Sequence, residues 1–144
     1  MTRIAFRKTL SANDVGSTGG HQGGVLIPKG ERELLAFLPH LDPSIKNPDA
    51  WLSCTDSDGT PRRFRFVYYN NKLHDSLGTR NEYRITYMTA WFRTLAAREG
   101  DIFEIAKESG SNSYVVSVVK ESTEDGVDRE LPTKLQLRGW RRVH

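Results

Sequence analysis

The chain has 144 residues, of which 37% are hydrophobic and 27% are charged, a balance typical of a soluble folded domain. We therefore expect a single domain spanning residues 1–144. No stretch approaches the roughly 18 apolar residues of a membrane span, and no apolar run follows the N-terminal charges as in a signal peptide. Cys54 is the single cysteine, which excludes an internal disulfide and fits a cytoplasmic protein. The formal net charge of +3 argues only weakly for a nucleic-acid partner.

Short apolar runs separated by turn residues dominate the first third of the chain. Arg3–Leu10 predicts a first strand and Val25–Ile27 a short second one. Residues 11–24 between them contain five glycines and no apolar period, so they predict a long loop. Glu31–Leu38 predicts a helix, because its leucines recur at helical spacing and a proline follows directly.

The middle of the chain predicts a hairpin. Asp56–Gly59 is a strong turn signal between the strands Ala50–Thr55 and Arg62–Tyr69. In the second strand Phe64 and Phe66 alternate with arginines. Since successive strand residues point to opposite faces, one face is expected to be buried and the other cationic.

The second half continues the β pattern after a turn at Asn70–Lys72. Tyr83–Tyr87 predicts a strand that leaves a second polar loop, and Tyr87–Ala97 predicts a short helix from its aromatic spacing. Three further strands are predicted at Ile102–Ala106, Tyr114–Val119 and Lys134–Val143. Many short strands without β–α–β alternation favour a mainly β barrel or sandwich.

Two polar loops carry the functional signal, and we call residues 11–24 the first arm and residues 78–86 the second arm. Both are dense in side chains that read base edges: arginine matches guanine, amides match adenine, and a carboxylate accepts from cytosine N4. A segment that only held phosphate would need arginine and lysine, not Glu82. Two other interpretations remain open, a solvated hairpin with a local salt bridge for the second arm and a plain surface histidine for His21.

Charge is distributed unevenly along the chain. Six cationic residues lie between Pro61 and Arg84 and face only two acids, whereas acids gather between residues 121 and 130. A polarised surface of this kind is typical of a phosphate-binding face, although ordinary surface patchiness is the alternative.

Several segments in and beside the arms resemble one known family. They are Leu10–Gly16, Gly19–Gln22, Leu26–Pro28, Tyr68–Asn70, Thr79–Glu82 and Arg84–Thr86. This order of residues resembles the N-terminal effector-binding domain of the EcoRII family of type II restriction endonucleases. More loosely, Arg63–Phe66 and the Trp91-Phe92 pair are similar to the plant B-three DNA-binding domain.

The resemblance implies a mainly β fold, a seven-stranded DNA-binding pseudobarrel with two short capping helices. It implies two arms that hold the major groove of double-stranded DNA, with a C-C-A/T-G-G-like target. It also implies that the chain is a fragment of a larger restriction endonuclease, whose separate catalytic nuclease domain alone would use magnesium. We therefore expect no cofactor and no catalytic residue here, and a cytoplasmic setting in a bacterial or archaeal cell.

The chemistry of the arms and their flanks suggests two sets of DNA contacts. The residues expected to read bases are Asn13, His21, Gln22, Arg80, Asn81, Glu82 and Arg84. The residues expected to bind phosphate are Lys8, Ser11, Thr18, Arg63, Arg65, Lys72 and Thr79. A histidine contact at position 21 would make binding sensitive to pH near neutrality.

Enzyme sites are poorly represented. The glycine-rich first arm has no lysine, which excludes a phosphate-binding P-loop, and Cys54 and the four histidines are too scattered for a zinc site. Asp49 and Glu104 are the acids that a self-contained, metal-dependent nuclease would need, but Glu104 has the wrong spacing to Lys107. Two alternatives are kept: such a nuclease, and a β-barrel that binds a non-nucleic ligand.

Overall fold

The computed structural model describes residues 2–16, 24–120 and 139–143, which form eight strands and three short helices. The strands are β1 (Arg3–Thr9), β2 (Val25–Ile27), β3 (Asp49–Asp56), β4 (Pro61–Tyr69), β5 (Glu82–Thr86), β6 (Ile102–Glu108), β7 (Ser113–Val119) and β8 (Trp140–Val143). The helices are α1 (Arg32–Phe37), α2 (Asn71–His74) and α3 (Thr89–Thr94). No helix among these residues is long and apolar enough to cross a membrane.

A single sheet winds round in the order β2-β5-β4-β3-β7-β6-β1-β8, with only β3 and β7 running parallel. Its two edge strands are joined by a side chain, because Trp140 Nε1 on β8 donates to the carbonyl oxygen of Leu26 on β2 at 3.0 Å. This contact brings the sheet close to a closed barrel, which protects edges that would otherwise be unpaired. The predicted mainly β pseudobarrel is therefore confirmed.

Two details differ from the sequence predictions. Within the described residues there are eight strands rather than the seven that the resemblance implies, and three helices rather than two. The expected turn at Asn70–Lys72 is wrong, because α2 begins at Asn71 and adds a helical turn there. The last strand is described from Trp140 only, since residues 134–138 of the predicted strand lie outside the described ranges.

The barrel interior is filled by large side chains. Phe64, Phe66, Trp91, Phe92 and Phe103 are all at most 2% exposed, as the alternating pattern of β4 and the spacing in α3 predict. Because interiors pack as densely as organic crystals, these side chains fill the space that they enclose within the described strands. A filled interior argues against the alternative that this chain is a β-barrel that binds a non-nucleic ligand inside it.

Helices α1 and α3 lie at opposite ends of the β1–β6 pair. Phe37 of α1 contacts Phe6 and Tyr114. Phe37 also lines a surface cleft together with Ser109, the residue after the end of β6, so α1 lies near that end of the strand. Phe92 of α3 contacts Phe103 near the start of β6. Since β1 and β6 are antiparallel, α3 lies beside the end of β1, from which the first arm leaves.

Candidate nucleic-acid interface

Both arms are rooted on strand β5. The second arm enters β5 at Glu82, and the first arm enters β2, whose Val25 pairs with Ile85. Gly24, the last residue of the first arm, has a φ of +111°, and a Cβ there would collide with the carbonyl oxygen of Ile85. The two roots are thus three to four residues apart along β5, about 10–13 Å. That spacing is close to the roughly 12 Å width of the B-DNA major groove.

Helix α2 closes the second arm into a compact loop. The backbone N–H of Arg80 donates to Asn71 Oδ1 at 2.8 Å, and the N–H of Lys72 donates to the carbonyl of Arg80 at 3.0 Å. Gly78 lies so near Asn71 that a Cβ would collide with the backbone carbonyl. The conformation of the arm is therefore fixed by hydrogen bonds and by a required glycine.

Gly78→Ala is expected to destabilise the chain by about 1–3 kcal/mol, because the added methyl forces the arm backbone away from α2. Chemical denaturation monitored by circular dichroism measures this change. Gly30→Ala is the matched control, since a Cβ at Gly30 meets no atom within 4 Å. Equal stability of the two variants would show that the close approach at Gly78 is unimportant.

Glu82 is the first residue of β5, and its side chain is partly exposed. Its Oε2 accepts hydrogen bonds from Arg80 Nη2 at 2.8 Å and from Arg84 Nε at 2.5 Å. Burial alone would raise the pKa of Glu82, but the hydrogen bonds from Arg80 and Arg84 and their charges hold it below its usual range. The carboxylate is therefore ionised at neutral pH and can accept a further donor.

Two adjacent tyrosines support the second arm from opposite faces of β4. The guanidinium of Arg80 lies 3.8 Å from the centre of the Tyr69 ring, a cation–π contact. The hydroxyl of Tyr68 donates to Asn81 Oδ1 at 2.5 Å. Neither tyrosine was predicted as a DNA-contacting residue. Because successive strand residues point to opposite faces, the two tyrosines support the second arm from different sides of β4.

Arg84 and Arg80 both pair with Glu82, but Arg84 is the more buried of the two: its side chain is 11% exposed and that of Arg80 is 30% exposed. Its Nη1 atom is buried and has no hydrogen-bond partner. Unsatisfied buried donors are uncommon in native proteins and call for an explanation, such as a group that binds there. The ion pairs among Arg80, Glu82 and Arg84 also agree with a solvated hairpin, so they do not by themselves distinguish the two interpretations.

The start of the first arm is held by a reciprocal turn. Ser11 N–H donates to Asp14 Oδ2 at 2.9 Å, and Asp14 N–H donates to Ser11 Oγ at 3.1 Å. Asp14 is 4% exposed and forms a buried ion pair with Lys8. Lys8 therefore supports the first arm through Asp14, and its predicted contact with phosphate stays a prediction.

Comparison with known proteins identifies the family. The family model described as "Restriction endonuclease EcoRII, N-terminal" matches residues 2–130. The chain belongs to the EcoRII N-terminal family. A curated relative, the type II restriction enzyme EcoRII of Escherichia coli, is 41% identical over 95 residues, which cover 58% of this chain and 20% of the relative. The chain thus spans only about a fifth of that enzyme's length, and the family resemblance of the sequence is confirmed.

The fold also matches a solved plant structure. The protein in the Arabidopsis FUS3–DNA complex superposes with a TM-score of 0.60 and 22% identity, covering 81% of this chain and 96% of the plant chain. At this identity the likeness establishes the fold alone. The EcoRII N-terminal domain therefore shares the pseudobarrel of the plant B-three domains.

Four of the other residues expected to bind phosphate lie on the second arm of this EcoRII N-terminal domain or on the neighbouring elements α2 and β4. Lys72 and Thr79 are exposed on α2 and the second arm. Arg65 pairs with Thr86 in the β4–β5 register and donates to Asp49 Oδ2 at 2.6 Å. Arg63 is exposed and lies over the Trp51 ring at 4.6 Å.

Some sequence predictions fall where no placement is described. His21, Gln22 and Thr18 of the first arm lie outside the described residues, as do the acids between residues 121 and 130. Asn13 and Ser11 are exposed at the described start of the first arm. The roles of these residues stay predictions.

Asp49 and Glu104, the acids that a nuclease centre would need, do not meet. Asp49 pairs with Arg65, whereas Glu104 accepts from Arg3 and Arg7 at 2.7 Å each. The strand register places them about eight residues apart along the sheet, or about 26 Å. Among the residues with described positions, no group of three or more His, Cys, Asp or Glu is arranged to hold a metal.

Proposed function

We propose that this chain is a sequence-specific double-stranded DNA-binding domain, the recognition or effector domain of a type II restriction endonuclease. The observation that carries the proposal is the Arg84 Nη1 donor, which is buried with no hydrogen-bond partner among the described residues and lies beside the ionised Glu82 at the root of the second arm. Family membership and a fold shared with FUS3, a protein solved in complex with DNA, support it. The setting it implies is the cytoplasm of a bacterial or archaeal cell.

The arrangement suits a target rich in G·C pairs. Glu82 keeps acceptor capacity for cytosine N4, and Arg80 offers donors that match guanine O6 and N7. The unpartnered Nη1 of Arg84 supplies a further donor once the side chain turns toward DNA. Asn81 is braced by Tyr68, which leaves its amide hydrogens for an acceptor on a base. A C-C-A/T-G-G-like pentanucleotide fits this set.

The arms are proposed to enter the major groove from the two ends of β5. In this position Ser11, Thr18 and Thr79 contact phosphates from the arms, Lys72 contacts them from α2, and Arg63 and Arg65 contact them from β4. Phosphate contacts fix the register of the protein on the duplex without reading sequence. Asn13, His21 and Gln22 of the first arm add base contacts on the other side.

Fluorescence anisotropy with short duplexes tests the proposal. We expect a duplex that contains C-C-A-G-G or C-C-T-G-G to bind at least about a thousandfold more tightly than a permuted sequence. Equal affinity for every duplex, with a steep salt dependence, would reduce the function to non-specific binding. Absence of any binding at low salt would overturn the proposal.

Lys72→Ala is expected to weaken binding to the target and to the permuted duplex by the same factor. Removing one phosphate contact lowers the slope of log affinity against log salt by about one. A salt titration on both duplexes measures this slope. A selective loss on the target alone would mean that Lys72 reads a base.

Cleavage is proposed to belong to another part of the parent endonuclease, which this chain does not include. The separation of Asp49 from Glu104 supports this division. Incubation of the 144-residue chain with target DNA and magnesium is expected to leave the duplex intact. Cleavage that is lost in Glu104→Gln would favour the self-contained nuclease instead.

A further inference from the structure

Most cationic side chains in the described part of the chain already pair with a carboxylate of the protein. These are Arg3, Arg7, Lys8, Lys46, Arg62, Arg65, Arg80, Arg84, Lys120 and Arg142. Arg93 and Arg98 are exposed, and neither forms an ion pair within the described ranges. Their charge is therefore available to an external anion.

Arg93 and Arg98 line one cleft together with the first arm. The cleft has a volume of about 360 Å³, and its walls include Val15 and Gly16 of the first arm. Thr89 adds a hydroxyl group at the same cleft. Among the described residues that line the cleft there is no carboxylate, so this part of the lining carries the two positive charges of Arg93 and Arg98.

Hydrogen bonds tie this cleft to the root of the first arm. Leu10, which precedes the arm, donates its N–H to the Asp101 carbonyl at 2.8 Å and accepts from Gly100 N–H at 2.9 Å. Asp101 Oδ2 in turn accepts from the backbone N–H of Arg98 at 2.9 Å. Trp91 in the core fixes α3 itself. The two guanidinium groups are thus carried on a support that is continuous with the arm.

We propose that this cleft binds the phosphodiester backbone of DNA beside the first arm, with Arg93 and Arg98 as its two phosphate contacts. The proposal rests on the proposed function and adds a binding surface that was not predicted from the sequence. Guanidinium groups and a hydroxyl suit phosphate oxygens. Apart from the two arginines, the described lining holds no side chain that reads bases, so the cleft is assigned the task of positioning DNA on its phosphates rather than of reading its sequence.

The test compares the unmodified 144-residue chain with Arg93→Ala, Arg98→Ala and the double variant. Affinity is measured by anisotropy across a salt series, on a C-C-A-G-G duplex with about ten flanking base pairs on each side and on its permuted counterpart. Each single variant is expected to lose about tenfold in affinity on both duplexes and about one unit of salt slope. Arg93→Lys and Arg98→Lys keep the charge and should retain most of the affinity.

Arg32→Ala is the matched control. Arg32 is also exposed and without an ion pair in the described residues, but it lies on α1 at the other end of the β1–β6 pair. It should bind both duplexes like the unmodified chain. Circular dichroism melting curves check that every variant is folded.

Three results would overturn the proposal. If the unmodified chain prefers the target and the Arg93 and Arg98 variants match it in affinity and slope, the cleft does not touch DNA while the proposed function stands. If these variants lose discrimination but keep the salt slope, the cleft acts on base reading and not on phosphate. If the unmodified chain binds neither duplex, the proposed function fails and the cleft proposal fails with it.

Discussion

Glu82→Gln is expected to lower the discrimination between target and permuted duplex by about 1–3 kcal/mol, or roughly 5- to 150-fold. The glutamine keeps the shape of the side chain but carries an NH₂ group that cannot accept from cytosine N4. It also removes the charge that aligns Arg80 and Arg84, whose donors lie 2.8 and 2.5 Å from the carboxylate. Anisotropy on both duplexes at one salt concentration gives the ratio directly.

The matched control for this prediction is Glu33→Gln. Glu33 also pairs with an arginine, since Arg142 Nη1 lies 2.6 Å from its Oε2, but it lies on α1 away from the arms. It should leave discrimination unchanged. If Glu82→Gln lost affinity equally on both duplexes, the result would show that the carboxylate holds the arm in place without reading a base. It would then favour the solvated-hairpin interpretation.

The pH dependence of Glu82 has a definite sign. Burial raises its pKa, but hydrogen bonds from Arg80 and Arg84 and their charges outweigh that and hold the pKa below its usual range. The contribution of the ion pairs to stability is therefore complete above the unfolded pKa and is lost as pH falls through the lower folded pKa. A change in DNA affinity between about pH 6 and 8 would thus come from another group, and His21 is the candidate that the sequence offers. A pH titration of binding with His21→Gln separates the two sources.

Local patterns made the second arm predictable. Arg80, Glu82 and Arg84 recur at every second position, so a strand necessarily places the last two on one face. The pairing of β4 with β5 places Tyr69 opposite Glu82. This position explains why the Tyr69 ring contacts Arg80, two residues before Glu82. The two-residue period was visible in the sequence, but the strand partner was not.

Contacts between distant segments could not be predicted from the sequence. Lys8 looked like a surface cation, and only the fold of the first arm shows that Asp14 neutralises it in a buried pair. The bond from Trp140 to Leu26 joins residues 114 positions apart and depends on sheet closure. The cleft at Arg98 was missed for the same reason, since Val15 and Arg98 are far apart in the sequence and line one cleft only in the folded chain.

Asn70→Ala is expected to destabilise the chain by about 2–4 kcal/mol, the largest effect on folding among the substitutions considered. Asn70 is fully buried, and its Oδ1 accepts from the backbone N–H of Asn47 at 2.7 Å. Its Nδ2 donates to the carbonyl oxygens of Ile45 at 2.9 Å and of Pro43 at 3.2 Å. Truncation would leave the Asn47 N–H and the Ile45 carbonyl oxygen without their partner, whereas the Pro43 carbonyl oxygen keeps its contact with His74 Nε2 at 3.0 Å. Urea denaturation measures the loss.

Asn71→Ala is the contrasting variant. Asn71 follows Asn70 in the chain, but its side chain hydrogen-bonds to the second arm rather than within the core. Its Oδ1 accepts only the Arg80 N–H among the hydrogen bonds described for that atom, and the residue is partly exposed. We expect about 1 kcal/mol of lost stability and a larger loss of discrimination between duplexes. If Asn71→Ala destabilised the chain as much as Asn70→Ala, the division between folding and arm positioning would be wrong.

Asn70→Asp tests the polarity of the same buried site. The aspartate still accepts from Asn47, but its second oxygen faces the two carbonyl oxygens that Nδ2 served. Burial and these acceptors disfavour the ionised form, so the folded-state pKa of this carboxyl should lie above its unfolded value. Stability of this variant should therefore be greatest below the unfolded pKa and fall as pH rises through the folded pKa. The opposite trend, or no trend relative to the unmodified chain, would show that water reaches Asn70 and that its buried hydrogen bonds do not stabilise the fold.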